Sequence, residues 1–340
     1  MSITLNEIIE QPSAITEALK DVEKKSDAIL NFFRKKFDSV IFTGCGTSYY
    51  LALSASSVFK EIVKRRSVAL PSSEIFLYPS EFFGKTLVVP ISRSGETSET
   101  VLAANFAKET KKSKILAISC YEESKLVKTS DLAVVSPKGK EKSIVMTKSF
   151  SSMLVAAQAV SAIVSENEHF FGELKKLPRI SEKIIKKYRS LAKEIGEDQS
   201  IKKFVFLGQG PFYGTACEAM LKIKEMAITW SEAYHSLEFR HGPKSIIDEK
   251  TLVTMLLSDS AQKYEVDLVK EIRDLGTRVL TICQEEVAES DYTVAIESQL
   301  GEFVRMPAYM PFLQLMGCYK ALNKGLNPDS PKKLTQVVKL

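Results

Sequence analysis

Val40-Ile41-Phe42-Thr43-Gly44-Cys45-Gly46-Thr47-Ser48-Tyr49 is a β-branched and aromatic run that breaks into glycines and hydroxyl residues. Phe204-Val205-Phe206-Leu207-Gly208-Gln209-Gly210-Pro211-Phe212-Tyr213 repeats the pattern, with Gly208 standing 164 positions after Gly44. A second pair keeps almost the same offset: Lys85-Thr86-Leu87-Val88 and Lys250-Thr251-Leu252-Val253 lie 165 positions apart. Two independent matches at one spacing read as an internal duplication, one fold used twice.

Working outward, short apolar runs alternate with helical patterns. Ser39 to Thr43 precedes a helix over 47–65, Thr86 to Ile91 precedes one over 96–111, and Lys114 to Ser119 and Asp131 to Ser136 precede one over 147–165. The second half restarts at Lys202 with strand 203–207, helix 213–227, strand 251–257, helix 262–275, strands 277–283 and 291–296, and a final helix over about 305–324. Such alternation predicts an α/β fold in which each half is a parallel, doubly wound sheet covered by helices on both faces, a flavodoxin-like three-layer sandwich. The predicted divisions are an N-terminal helical segment (1–36), a first domain (37–165), a lysine-rich helical connector (166–200), a second domain (201–325) and a tail (326–340). The tail holds two prolines and is expected to pack back over a site or a partner.

Composition narrows the function. Hydrophobic residues make up 44% and charged residues 26% of the 340, the profile of a globular protein with enough core for two domains. Lys+Arg number 47 against 42 Asp+Glu, dispersed along the chain with no aromatic-laced basic stripe, so nucleic acid is not expected as a partner. The five cysteines, Cys45, Cys120, Cys217, Cys283 and Cys318, never fall in a CxxC spacing. Neither a disulfide framework nor a metal site is expected, and a reducing, cytoplasmic setting fits best. The N-terminus lacks a signal-peptide pattern, and the longest mostly apolar run, Met153 to Val164, is too short to cross a bilayer.

In open α/β sheets, ligands sit where strands turn into helices, beside N–H groups that favour anions. Two such turns in the first half are chemically loaded. Cys45, Gly46, Thr47 and Ser48 offer close backbone approach and two hydroxyls; Ser92, Arg93, Ser94, Gly95 and Thr97 offer three more hydroxyls and a cation. Tyr49 stands where a dinucleotide fingerprint needs a small residue, and no GK[ST] is present, so a phosphomonoester is the expected ligand and no cofactor is implied. The corresponding second-half turn, Leu257-Ser258-Asp259-Ser260, lacks that loop. The second half instead carries Glu218, Lys222 and Glu225 on one helix face, and His241 against Gly242-Pro243, where an imidazole can shuttle protons at neutral pH. His235 reads as structural and His169 as incidental.

Together, TGCGTSYY, SRSGETSET, VMTKSF, EAMLKIKE, SEAYHSLEFRHGP and PKKLTQVVKL resemble, in order and over nearly the whole chain, the sugar isomerase (SIS) domain family, in the duplicated form found in the isomerase half of glutamine–fructose-6-phosphate amidotransferases. The resemblance implies two tandem SIS domains. It implies that Cys45, Gly46, Thr47 and Ser48 line a sugar pocket, that Ser92, Arg93, Ser94 and Thr97 hold a 6-phosphate, and that Val145 and Thr147 touch the sugar. It gives Glu225 the role of base between C1 and C2, with Lys222 beside it, and gives His241 the role of ring-opening residue reaching the neighbouring subunit's site, hence a homodimer.

Two departures shape the expected activity. Ser2 stands where a glutaminase domain's cysteine nucleophile would begin, so release of ammonia from glutamine is not expected. Gln336 stands where the family has a lysine; a glutamine hydrogen-bonds an oxygen but forms no Schiff base. Either Lys222, Lys333 or Lys339 substitutes, or simple enediol chemistry suffices. The expected function is metal-free aldose–ketose chemistry on a hexose or amino sugar 6-phosphate, foremost conversion of glucosamine 6-phosphate to fructose 6-phosphate and ammonia. A fructosamine 6-phosphate deglycase and a non-catalytic sugar-phosphate regulator are the alternatives.

Overall fold

The computed structural model describes residues 2–34, 37–79, 82 and 85–340. In chain order its elements begin with helices α1 (Ile3–Ile9), α2 (Gln11–Glu23) and α3 (Ser26–Phe33). Next come β1 (Ser39–Gly44), α4 (Thr47–Val63), β2 (Ser67–Pro71), α5 (Ser72–Leu77), β3 (Thr86–Ser92), α6 (Ser98–Glu109), β4 (Lys114–Ser119), α7 (Lys125–Thr129) and β5 (Leu132–Val135). Helices α8 (Lys148–Val164), α9 (Glu168–Leu174) and α10 (Leu177–Glu197) follow. The remainder is β6 (Lys203–Gly208), α11 (Phe212–Ala227), β7 (Trp230–Tyr234), β8 (Thr251–Leu256), α12 (Gln262–Asp274), β9 (Arg278–Cys283), β10 (Tyr292–Ala295) and α13 (Glu302–Asn323).

The chain divides into two units. One comprises Glu10–Lys142, Met146–Pro178 and Thr335–Leu340; the other comprises the N-terminal residues to Ile9, Ser143–Val145 and Arg179–Leu334. Each holds one five-stranded sheet, β2-β1-β3-β4-β5 in the first unit and β7-β6-β8-β9-β10 in the second, with every strand pair parallel. The two orders are the same, so the repeat seen in the sequence is a repeat of topology.

The central strands β1, β3 and β8 are buried along their whole length because helices cover both sheet faces. In the first unit Ile41, Val88, Ile115 and Ala117 pack against Ala103, Ala104 and Ala107 of α6. In the second unit Val205, Val253, Met255 and Val279 pack against Leu268, Val269 and Ile272 of α12. Helix α8 is buried from Lys148 through Ala162, as its mostly small and apolar sequence demands, with Lys148 paired to Glu10. Two strands, β2 and β7, were not anticipated from the sequence; both are five-residue edge strands, largely half-buried, with no alternation to mark them. Among the described residues no helix is long and apolar enough to cross a membrane.

In both sheets the strand order reverses direction between two neighbours, β1 and β3 or β6 and β8, and this switch point is where a doubly wound sheet opens a crevice. The glycine turns of the repeat sit there. A Cβ on Gly44 would lie 2.7 Å from the Ser48 backbone, and one on Gly208 would lie 2.6 Å from the Phe212 carbonyl oxygen. Only glycine lets the following helix start so close. Gly46 (φ 54°) and Gly210 (φ 55°) then take the left-handed turn that aims the chain into α4 and α11.

Candidate functional site

In the first unit the turn after β1 and the loop after β3 lie side by side at the carboxyl edge of the sheet. Gly95 (φ 64°) bends the loop tightly: a Cβ there would collide with the Ser124 hydroxyl at 2.1 Å. Ser92 Oγ accepts from the Gly95 N–H at 3.1 Å and stands 3.3 Å from Thr97 Oγ1, while Ser94 Oγ accepts from the Glu96 N–H at 3.1 Å. Among the described residues, the backbone N–H groups of Ser94 and Thr97 donate to nothing. Open N–H groups and hydroxyls at a helix start suit an anion. Cys45 Sγ is 3.6 Å from Thr100 Oγ1, and Thr47 and Ser48 are buried at the start of α4.

The Arg93 guanidinium, expected to hold phosphate, is engaged in a buried ion pair with Glu141, Nη1 to Oε2 3.0 Å, and Nη2 donates to the Gln336 carbonyl at 3.3 Å. Glu141 was not singled out in the sequence, where it is one acid among lysines in GKEKS; the structure makes it a hub. Its Oε1 accepts from Thr147 N–H (2.6 Å), Thr147 Oγ1 (2.9 Å) and Ser149 N–H (3.1 Å), and its Oε2 also accepts from Ser149 Oγ (2.6 Å). A carboxylate at the first turn of α8 satisfies orphan N–H groups and complements the helix dipole.

Thr147 is thereby fully buried and bonded to Glu141, and Val145 is buried within the second unit's contacts. The tail belongs to the first unit. Gln336 Nε2 donates to the Glu141 carbonyl at 3.3 Å, the Val338 carbonyl accepts from Ser98 N–H at 3.4 Å, and the Leu340 N–H reaches Ser98 Oγ at 3.2 Å. The last six residues are strapped to the loop and to the first turn of α6.

In the second unit, the acid–base cluster forms on α11 as its three-and-four spacing requires. Lys222 is fully buried, its ammonium 3.3 Å from Glu218 Oε1 and hydrogen-bonded to Glu225 Oε2. Burial pushes the Lys222 ammonium down, but the flanking Glu218 and Glu225 carboxylates outweigh that and hold its pKa above the usual lysine range. Glu218 is fully buried, whereas Glu225 keeps 19% of its side-chain surface exposed and is the one carboxylate of the pair that meets solvent. His241 stands exposed after a single 3-10 turn, Glu238–Arg240, and precedes Gly242 in the left-handed region at φ 116°. His235 stacks on Tyr213 with ring centroids 3.7 Å apart, and burial pulls its pKa down against the opposing pull of Glu238.

The SIS domain family matches residues 32–162 and 199–300. The isomerizing glutamine–fructose-6-phosphate aminotransferase of Thermococcus kodakarensis is 28% identical over 98% of this chain, and that of Pyrobaculum aerophilum is 29% identical over 98%. The chain spans about 57% of the length of these curated relatives. Among solved structures, glucosamine-6-phosphate deaminase from Thermotoga maritima aligns over 100% of both chains with a TM-score of 0.80 at 33% identity. Tagatose-6-phosphate ketose/aldose isomerase from Escherichia coli covers 98% of this chain and 96% of its own with a TM-score of 0.89; at 23% identity it speaks to the fold alone.

Proposed function

The chain belongs to the SIS domain family, and from that premise we propose that it is a sugar-phosphate enzyme that converts glucosamine 6-phosphate and water to fructose 6-phosphate and ammonia. The observation that carries the reading is the open donor set of the Ser92–Thr97 loop, two N–H groups without acceptors beside three hydroxyls at a switch point. That set matches the three oxygens of a phosphomonoester. The end-to-end likeness to a glucosamine-6-phosphate deaminase supports the amino sugar as substrate.

In this reading Ser92, Ser94 and Thr97 bind the phosphate through their hydroxyls and the open Ser94 and Thr97 N–H groups, beside the Arg93–Glu141 ion pair. Cys45, Gly46, Thr47, Ser48, Val145 and Thr147 border the sugar, and Gln336 closes the loop from the tail. His241 opens the ring, supplied by a second copy of the chain in a homodimer. Glu225 moves the proton between C2 and C1, beside the Lys222 ammonium that is hydrogen-bonded to its Oε2. Lys222 stays a cation and stabilises negative charge rather than attacking carbon. The domain divisions predicted from the sequence place phosphate binding in the first domain and proton transfer in the second.

A second reading rests on a cavity of about 380 Å³ beside Ser94, bordered by Glu96, Glu122, Glu123 and Lys140, with Glu96 and Glu123 paired to Lys125 and Lys128. Glu122 on its rim offers a partner for the basic tail of a fructosamine 6-phosphate. One assay separates the two: ammonia and ketose release from a panel of amino sugar 6-phosphates and fructosamine 6-phosphates. Turnover of glucosamine 6-phosphate alone supports the first reading, turnover of the fructosamines the second, and binding without any turnover would overturn both in favour of a regulator.

A further inference from the structure

The second unit contains a counterpart of the phosphate loop, and its donors are already taken. Ser92 Oγ accepts the N–H three residues on, from Gly95, at 3.1 Å; Ser258 Oγ accepts the N–H three residues on, from Ala261, at 3.1 Å. Both serines stand just beyond or at the end of the third strand of their sheet, β3 or β8, at the same switch point. Past this shared feature the loops differ. Where Ser94 and Thr97 present open N–H groups, the Asp259 and Ser260 N–H groups donate to Glu302 Oε2 at 2.9 and 3.3 Å, and Ser260 Oγ donates to Glu302 Oε1 at 2.6 Å. Ser258 N–H and Oγ donate to Glu265 Oε2 at 2.7 and 3.0 Å, and the other oxygen of Glu265 accepts from Ser236 Oγ at 2.8 Å.

Glu302 opens α13, 42 residues beyond Ser260, so its carboxylate is brought to the loop by the fold and not by local turn geometry. One turn further on, Arg305, fully buried, grips Asp259 through two bonds of 2.8 and 2.7 Å, which neutralises the one acid on the loop itself. We propose that Glu302 and Glu265 are internal anions that fill the second loop in the place phosphate takes in the first, clamping α13 onto β8 and leaving the duplicated chain one anion site. The pair of carboxylates, not loss of the loop's donors, makes the repeat chemically asymmetric.

Because Asp259 and Ser260 lie at the surface, a small anion from solvent can reach the loop once Glu302 is shortened. The test uses the full chain. Glu302→Ala should lower Tm, and acetate should recover more of that loss than chloride at equal ionic strength, with no such difference in the parent protein. Titration with inorganic phosphate should then find one more site per chain in Glu265→Gln/Glu302→Ala than in the parent, and that extra site should survive addition of Ser94→Ala. A folded double variant with no added site and no acetate-specific recovery would overturn the proposal. Should Glu302→Ala fail to fold, Glu302→Ser, which removes the carboxylate that fills the loop but keeps a polar side chain at the start of α13, goes through the same titration with the same two outcomes. The result is independent of the first loop, because a parent protein that binds no phosphate would strike the proposed function while the difference between variants still decides this one.

Discussion

The Arg93 guanidinium donates to the Glu141 carboxylate at 3.0 Å in a setting where 6% of the arginine side chain and none of the glutamate side chain reaches solvent. Breaking a buried pair from one side strands the other charge, which costs about 3–5 kcal/mol. Glu141→Ala also removes the acceptor for the first turn of α8, so its loss should lie at the upper end of that range. Urea unfolding of the variant against the parent measures it. A loss below about 1 kcal/mol would mean that Arg93 finds solvent or another acceptor and that the hub is not structural.

The same relationship separates loop geometry from loop stability. Among the described residues Ser94 makes one hydrogen bond, as acceptor from the Glu96 N–H. Ser94→Ala should therefore leave Tm nearly unchanged while weakening sugar-phosphate binding by about 1–3 kcal/mol, the contribution of a charge-assisted hydrogen bond. Calorimetric titration with fructose 6-phosphate reads the affinity. Undiminished affinity would remove Ser94 from the anion site.

The repeat, the sheet class and the two loaded turns were legible because each leaves a local mark: β-branched runs, glycines at left-handed positions, hydroxyls clustered beyond a strand end. Gly44 and Gly208 are the clearest example, since one steric requirement wrote the same residue twice. What was not legible depends on partners distant in sequence. Glu141 gains its role from Arg93, 48 positions away, and nothing in GKEKS distinguishes it from a solvated acid. The direction of the Arg93 side chain is equally invisible: an arginine between two serines suggests phosphate, and only packing reveals that a buried carboxylate claims it. The edge strands β2 and β7 were missed because a half-buried strand lacks both the continuous apolar run of a central strand and a clean alternation. Glu302 and Glu265 were missed for the same reason as Glu141, because the sequence shows acids and the fold shows what they bind.

Glu225→Gln tests the base. The amide keeps the side chain's size and its proximity to Lys222 but cannot take a proton, so sugar-phosphate binding should persist while turnover falls by about 10²–10⁴. His241→Ala should be impaired at ring opening and should act normally on the open-chain form. If His241 serves a neighbouring copy, mixing the two inactive variants should restore part of the activity, and the protein should sediment as a dimer. An active monomer at assay concentration would refute the shared arrangement.

Lys222 decides between imine and enediol chemistry. A lysine attacks a carbonyl as the free amine, yet Glu218 and Glu225 hold this one as an ammonium above its usual range despite complete burial. The sign follows from the raised value: the charged lysine stabilises the fold fully below about pH 10, the ordinary lysine range, and that contribution fades only as pH climbs through the higher folded-state pKa. Between pH 6 and 9 Lys222 should therefore contribute no titration step to stability or to rate. Borohydride added with substrate should leave no sugar adduct on the peptide carrying Lys222, and Gln336→Lys should change the isomerising step little. A trapped adduct on Lys222 would establish the imine route, and one on Lys333 or Lys339 would move it to the tail. Lys222→Ala is the less informative variant, because it strands Glu218 without its counter-charge and should cost about 3–5 kcal/mol of stability. Any loss of turnover there counts as chemical only in a protein shown by circular dichroism to remain folded at the assay temperature.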